Sequence, residues 1–377
     1  MTNHWRAVAQ RIVAGLNVQP GELIQVRDHI DHPDMLLEVL LAVERAGAAP
    51  LIDQQSPIYL NRWLAEASPH AIEQSGRQRR RLMEQVDRVV SLSGGIPDFE
   101  RVAPDALAAW QAMDEELTAI EEARLLPNLI AAIPTAQRAE RLGMMLAELE
   151  AHVTPSLLLD IDVSRRLIAE TRAAVTGQRI VITTGEGCEL HLHLGDRFWH
   201  GDDGVIDDED RRRQTIVSNL PAGSIYTTVL EDRTEGSLYL PQALEATDVV
   251  LHFKAGRIER IEAASGGDAL ERWFDSHSGE PRRISHIGVG LNPHLRTPIG
   301  WTIVDEHIAG AIFVAMGENR YMGGQNASSL NHDFALFGAS LWVDGRELVA
   351  RGKLQSAIFS EALERPSGKT GSPPESQ

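Results

Sequence analysis

The first 177 residues alternate between short β-branched segments and longer amphipathic segments. Residues 22–27 predict a strand after a Pro-Gly turn, and residues 33–47 predict a helix with apolar side chains at helical spacing. Residues 87–92 and 106–124 repeat this strand–helix order. Such alternation is typical of a parallel sheet with crossover helices, so we expect an α/β domain over residues 1–177. No dinucleotide or P-loop motif follows its strands, which favours a scaffold role.

From residue 178 onwards, short strand-like segments separated by turn residues replace this pattern. We therefore expect an α+β, β-rich second domain over residues 178–365, which would carry the metal site. An Asp-Gly pair at Asp344 and Gly345 predicts a hairpin of residues 334–341 and 342–349. Residues 366–377 are rich in Ser, Pro and Gly, a composition that predicts a disordered tail.

Net charge limits the partners that the sequence favours, and cysteine content indicates the compartment. The formal net charge is −18, which disfavours nucleic acid and anionic membranes as partners. The sequence has one cysteine, Cys188, and no apolar run long enough to span a bilayer. These features predict a cytoplasmic protein without a disulfide framework.

Polar side chains interrupt apolar, glycine-spaced segments at both ends of residues 284–333. Asn331 and Asp333 are two residues apart, so on a strand both point to the same face, whereas His332 points to the other. His286 lies in the apolar segment at the other end. We interpret His286, Asn331 and Asp333 as ligands of one divalent metal, with His332 as a possible further ligand. The alternative is a turn that caps the hairpin and a hydrogen-bonded core histidine.

Further residues of this region are candidates for catalysis and substrate binding. Glu306 and His307 would move protons next to the metal, unless they form a polar loop. Arg296 follows an Asn-Pro turn and could bind a substrate carboxylate through two hydrogen bonds, unless it is a surface arginine. The acidic run that begins with Asp202 and ends at Asp210 predicts an exposed loop without a chemical role.

Three segments resemble the aminopeptidase T family of metallopeptidases: residues 219–228, residues 288–293, and residues 323–333 with their Gly-Gly and Asn-His-Asp sequences. The resemblance implies an α/β domain, a β-rich metal-binding domain and a homo-oligomer. The family's two-metal site is altered in this chain, because only Asp333 of its ligands is retained. The positions that depart from it are Ser224, His286, Phe313 and Asn331.

Two branches of that family act on aromatic compounds with a single metal, and the chain is similar to both. The 2,5-dihydroxypyridine dioxygenases use a two-histidine, one-carboxylate Fe(II) site, which would need a histidine at Asn331. The 5-nitroanthranilate aminohydrolase replaces a ring amino group by hydroxyl. A site of His286, Asn331 and Asp333 favours hydrolysis over oxygen chemistry.

These comparisons lead us to predict a mononuclear metal hydrolase that deaminates a small aromatic acid of the 5-nitroanthranilate type. We expect Mn(II), with Fe(II), Co(II) or Zn(II) as alternatives. Arg296 and Ser224 would bind the substrate. The alternatives are an Fe(II) ring-cleaving dioxygenase, an aminopeptidase, and a metal-free binding protein.

Overall fold

The computed structural model describes residues 3–355, which form eleven α-helices and eighteen strands arranged in three sheets. The helices are α1 (Asn3–Gly15), α2 (Pro33–Arg45), α3 (Pro57–Glu66), α4 (Pro69–Met83), α5 (Pro104–Arg124), α6 (Ala136–Arg141), α7 (Leu146–Leu157), α8 (Ile161–Ala174), α9 (Asp208–Arg213), α10 (Gly267–Asp275) and α11 (Thr302–Asp305). The strands are β1 (Leu23–Asp28), β2 (Ala49–Gln54), β3 (Arg88–Ser93), β4 (Asn128–Ala132), β5 (Arg179–Thr183), β6 (Glu189–His193), β7 (His200–Asp202), β8 (Val217–Leu220), β9 (Ser224–Thr228), β10 (Glu235–Ala243), β11 (Ala246–Lys254), β12 (Arg257–Glu262), β13 (Ile284–Gly290), β14 (Ile312–Gly317), β15 (Asn331–Leu336), β16 (Ser340–Val343), β17 (Arg346–Ala350) and β18 (Lys353–Leu354). The predicted tail, 366–377, lies outside the described residues.

A parallel five-stranded sheet organises the N-terminal part of the chain, in the order β2-β1-β3-β4-β8. Its crossover helices α2, α3, α4 and α5 each begin with proline, whose fixed φ suits the first helical turn and whose missing N–H costs nothing there. The predicted α/β class is confirmed. The last strand, β8, comes from beyond residue 177, so the second half of the chain completes this sheet.

Antiparallel sheets make up the C-terminal part, as the β-rich prediction required. One has eight strands in the order β12-β11-β10-β6-β5-β16-β17-β18, and the other has five in the order β15-β14-β13-β9-β7. The Asp-Gly pair does connect β16 to β17, with φ of 46° at Asp344 and 82° at Gly345. The predicted first strand of that hairpin was wrong, because residues 334–336 belong to β15 of the other sheet.

The antiparallel five-stranded sheet, β15-β14-β13-β9-β7, has two chemically different faces. One face packs into the C-terminal core through fully buried side chains such as Ile225, Ile287 and Val314. The other face carries polar and aromatic side chains and forms one wall of a cavity, described below. No helix within residues 3–355 is both long enough and apolar enough to cross a membrane.

Candidate active site

Strand register places the polar residues of the antiparallel five-stranded sheet on one face. His286 lies opposite Thr228, and Gly290 lies opposite Ser224, in the β13–β9 pairing. Directly opposed residues of antiparallel strands point to the same face. This face bounds a cavity of about 380 Å³, a size suited to a small ligand. The cavity is lined by Ile130, Asp202, Val217, Asn219, Ser224, Tyr226, His286, Thr302, Ile303, Glu306, His307, Phe313, Tyr321, Met322, Asn331, His332 and Asp333.

A bulge in β13 aims His286 at the cavity. Ile284 pairs with Met316 and Ile287 pairs with Val314, so two residues of β13 stand opposite Ala315 alone. The extra residue lets the side chains of Ser285 and His286 meet, with Oγ and Nδ1 2.9 Å apart. Bulges next to functional sites commonly redirect a side chain in this way.

Hydrogen bonding determines which ring nitrogen of His286 carries the hydrogen and which one presents a lone pair to the cavity. The Ser285 hydroxyl donates to the carbonyl of Glu318 at 2.7 Å, so its oxygen accepts a hydrogen from Nδ1 of His286. The neutral ring then has no hydrogen on Nε2. That nitrogen lies 3.0 Å from Oδ1 of Asp333. Metal-bound histidines typically use their other ring nitrogen in such an orienting hydrogen bond.

The His286–Asp333 pair fits a divalent cation. Oδ1 of Asp333 is buried and has no hydrogen-bond partner within the described chain, although Nε2 of His286 lies beside it. Two lone pairs in contact repel, so a positive charge must lie between them: either a proton on Nε2, which makes the ring positive, or a metal ion. Ligands at about 2.0–2.2 Å from a metal and at right angles around it are ~3 Å apart, which matches the observed separation. Burial acts to raise the pKa of Asp333, but the facing imidazole of His286 outweighs it and the pKa is lowered.

Asn331 lies two residues from Asp333 on the same face of β15, whereas the His332 ring points to the other face, although His332 also borders the cavity. Asn331 lines the cavity, and its Nδ2 donates to the Tyr321 hydroxyl at 3.0 Å, which leaves the amide oxygen available. The His332 ring packs against Trp273 and Phe334, with ring centroids 5.0 and 4.8 Å away. Across residues 3–355, no group of three or more His, Cys, Asp or Glu side chains converges on a metal position. A third protein ligand at the pair would therefore be an amide such as Asn331.

Glu306 and His307 differ in their relation to the cavity. The Glu306 side chain, 14% exposed, faces the cavity. Burial, followed by the charges of Asp333 and Asp202, raises its pKa well above the ordinary carboxyl value. A carboxyl group with a raised pKa can donate a proton at neutral pH. The His307 side chain also borders the cavity but is only 1% exposed, with Nε2 3.4 Å from Asp202.

Buried Asp305 shapes the segment that carries Glu306. Its carboxylate accepts backbone N–H groups from Ile299, Gly300 and Trp301 at 2.7–3.1 Å. These bonds fold residues 299–305 tightly around one side chain. Glu306 is therefore presented to the cavity from a constrained turn.

The two residues predicted to bind substrate lie in different places. Ser224 is buried and lines the cavity. Arg296 is exposed and is not among the lining residues. In the part of the chain that the structure describes, the cavity has no Lys or Arg in its lining. An anionic group bound in this chain's cavity would therefore depend on a metal or on neutral donors.

Sequence reasoning missed several residues of the cavity. The acidic run was predicted to be exposed, which is wrong for Asp202, whose exposure is 6%. Tyr226 and Phe313 flank Gly288 in the same row of the sheet, and the Phe313 ring lies over Gly288. The period of two along β9 links Tyr226 to Ser224 and was a usable signal. Nothing local marked Asp202, because its side-chain partners Ser218 and Asn219 lie on β8.

A comparison with protein families decides the relationship of this chain. The model of the 2,5-dihydroxypyridine 5,6-dioxygenases (NicX) matches residues 109–356, more than half of the chain. The chain belongs to this 2,5-dihydroxypyridine 5,6-dioxygenase family. A search of curated protein sequences found no match.

Solved structures support the same relationship at the level of fold. AmpT (aminopeptidase T) from Thermus thermophilus has a TM-score of 0.71 at 17% identity, over 94% of this chain and 99% of that chain. The 2,5-dihydroxypyridine dioxygenase from Pseudomonas putida KT2440 has a TM-score of 0.62 at 16% identity, over 95% and 99%. The predicted likeness to aminopeptidase T is thus confirmed for the fold. The family is metal-dependent, and its fold is shared by the peptidase and the dioxygenase.

Proposed function

We propose that this member of the family is a mononuclear, divalent-metal-dependent hydrolase that replaces an amino group on a small aromatic ring by hydroxyl. The observation that supports the proposal is the unpaired Nε2–Oδ1 contact of His286 and Asp333, with an amide, Asn331, as the adjacent donor. One imidazole, one carboxylate and one neutral amide differ from the two-histidine, one-carboxylate set that suits Fe(II) oxygen chemistry.

Metal choice follows from this donor set. Carboxylate and amide oxygens suit harder ions, so we propose Mn(II), with Fe(II), Co(II) and Zn(II) as alternatives. The bound ion would act as a Lewis acid that lowers the pKa of a bound water towards ~7. His286, Asn331 and Asp333 would hold it.

Glu306 is the residue we propose for proton transfer. Because its pKa is raised, its carboxylate is a stronger base than an ordinary one, so it can accept a proton from the attacking water and then donate that proton to the departing amine. His307 would act indirectly, because its ring is almost fully buried next to Asp202. This division of roles refines the prediction that either residue serves as the acid–base group.

The proposed substrate is an aromatic amino acid of the nitroanthranilate type. Its ring would pack against the aromatic side chains of Tyr226 and Phe313. Its carboxylate would bind next to the metal, or to neutral donors such as Ser224 and Tyr321, since no cationic side chain of this chain lines the described cavity. Arg296 would contribute only if the exposed loop moved.

Ammonia release tests the proposal directly. The protein loaded with Mn(II) is expected to release one ammonia per 5-nitroanthranilate consumed, both in air and under anaerobic conditions. Asp333→Ala should abolish the release, whereas Asp208→Ala, an exposed acidic residue away from the cavity, should leave it unchanged. If Mn(II), Fe(II), Co(II) and Zn(II) all fail to support ammonia release, the hydrolase proposal is wrong.

A ring-cleaving dioxygenase is the second candidate, and the family match favours it. In that case Fe(II)-loaded protein would consume oxygen when 2,5-dihydroxypyridine is added, and no ammonia would accompany the uptake. Against it, an amide stands at position 331 and the His332 ring packs on the other side of β15. If oxygen is taken up and no ammonia is released, the dioxygenase becomes the favoured proposal and the hydrolase is rejected.

We also propose, from the resemblance, that the chain forms a homo-oligomer. Light scattering of the purified protein tests this, and a monomeric mass at micromolar concentration would contradict it.

A further inference from the structure

Asp202 is a buried carboxylate on β7, at the opposite edge of the five-stranded sheet from Asp333. Metal binding at the His286–Asp333 pair does not explain why this carboxylate is buried. A buried carboxylate is costly unless several hydrogen bonds compensate it, so its partners indicate its role.

The partners of Asp202 come from three separate parts of the fold. Oδ1 accepts the Ser218 hydroxyl at 2.5 Å and the Gly204 N–H at 3.2 Å. Oδ2 accepts Nδ2 of Asn219 at 3.2 Å and lies 3.4 Å from Nε2 of His307. The carboxylate thus joins β7, the edge strand β8 of the parallel sheet, and the segment that carries Glu306.

His307 is enclosed by acceptors at both of its ring nitrogens. Nδ1 lies 3.2 Å from the carbonyl oxygen of Ile303, and Nε2 lies next to Asp202. Neither an amide carbonyl nor an ionised carboxylate can donate a hydrogen. A ring with one hydrogen would leave a bare nitrogen against an oxygen lone pair, in a side chain that is 1% exposed. The contacts are satisfied when both nitrogens carry hydrogen.

We infer that Asp202 is a positioning residue, which holds the His307 ring with hydrogens on both nitrogens and thereby fixes Glu306 in the cavity. Nδ1 of His307 lies 3.7 Å from Oε1 of Glu306. The held ring therefore packs next to the Glu306 carboxyl group and limits the positions that this group can adopt in the cavity. This catalytic consequence rests on the proposed function, whereas the state of the His307 ring does not.

Nitrogen-15 spectra of the histidine side chains test the inference without any assay of activity. In the wild-type protein, both ring nitrogens of His307 should show the signals of hydrogen-bearing nitrogens, and His307→Gln identifies those signals by their loss. In Asp202→Asn, the new amide group can donate to Nε2, so this nitrogen should shift to the range of a bare ring nitrogen. A wild-type His307 with one bare nitrogen would overturn the inference, whether or not the variant folds.

Asp203→Asn is the matched control, because Asp203 is adjacent in sequence, binds Arg165 and does not contact His307. Its His307 signals should equal those of the wild-type protein. Unchanged His307 signals in folded Asp202→Asn would also overturn the inference.

Kinetics give a second test if the ammonia-release activity is found. Asp202→Asn should lower kcat by about 10²-fold, the size of effect expected from a small misplacement of a catalytic group, while KM and bound metal stay unchanged. A raised KM with unchanged kcat would contradict a role through Glu306. If no ammonia release is found, the proposed function fails and the spectra still decide the role of Asp202.

Discussion

His286 and Asp333 meet across a strand that lies between them: Nε2 and Oδ1 are 3.0 Å apart, although β13 and β15 are separated by β14. The meeting depends on Ala315, which stands opposite Asp333 and opposite the bulge that carries His286. A small side chain at this position leaves the space between the two ligands open.

Removal of Asp333 should abolish stabilisation by metal. A ligand that binds only the folded state at 100 times its Kd stabilises it by about 2.7 kcal/mol. Mn(II) should therefore raise the Tm of chelator-treated wild-type protein and leave that of Asp333→Ala unchanged. Thermal unfolding with and without metal measures this, and Asp208→Ala should respond like the wild type. An equal metal response in Asp333→Ala would place the metal elsewhere.

Ala315→Leu should block the metal without removing a ligand. The larger side chain would project between His286 and Asp333, and overpacking of a buried position costs typically ~1–3 kcal/mol. We expect loss of bound metal in the variant at a temperature where circular dichroism shows it to be folded. Ala315→Gly, which leaves the space open, is the control and should retain metal. Metal retained by the leucine variant would contradict the proposed position.

Asn331→His should strengthen metal binding, because it adds a second imidazole to the pair of His286 and Asp333. We expect the affinity for Fe(II) or Zn(II) to rise at least about tenfold, since imidazole is a better ligand for both ions than an amide oxygen. Competition with a chromophoric chelator measures the change. His332→Gln should leave the affinity unaltered, because that ring packs against Trp273 and Phe334.

Much of the architecture was predictable because it is encoded in local patterns. The spacing of apolar residues identified the α/β region, and the period of two along β15 placed Asn331 and Asp333 on one face. The Asp-Gly pair located the turn between β16 and β17. These features depend on a few consecutive residues, so one sequence is enough to read them.

Other features depend on contacts between distant segments, which local patterns do not encode. The pairing of β8 with β4 joins residues about ninety positions apart, so the sequence alone did not assign β8 to the parallel sheet. The charged run predicted exposure for Asp202, but Ser218 and Asn219 of that same strand compensate its burial. The position of Arg296 could not be predicted for a related reason, because the composition of a loop does not determine the direction in which the loop runs.

The stability of the metal-free protein should decrease with pH because of Glu306. Its pKa is raised in the folded state from an ordinary value of 4.5, so the folded protein binds more protons than the unfolded chain between the two values. Unfolding free energy therefore falls as pH rises through this window. Glu306→Gln should remove that slope and exceed the wild type in unfolding free energy at neutral pH, because the glutamine carries no proton that the unfolded chain would lose.

Urea unfolding at several pH values measures the effect of Glu306→Gln. The gain should vanish below the ordinary carboxyl pKa, where Glu306 is protonated in both states. Glu209→Gln, on an exposed part of α9, should follow the wild-type profile. Parallel profiles for Glu306→Gln and the wild type would contradict the raised pKa.

Gly288 should be intolerant of even one added methyl group, because the Phe313 ring lies over it. A Cβ built at position 288 overlaps that ring, and the fully buried β13 gives the ring little room to move. Gly288→Ala should destabilise the protein by about 1–3 kcal/mol, the usual cost of overpacking, and displace the ring. Phe313→Leu in the same background should restore part of the loss, since the smaller side chain leaves space for the methyl group. Urea unfolding of both single variants and the double variant gives the coupling free energy. Additive effects of the two substitutions would show that the glycine is not required by the Phe313 ring.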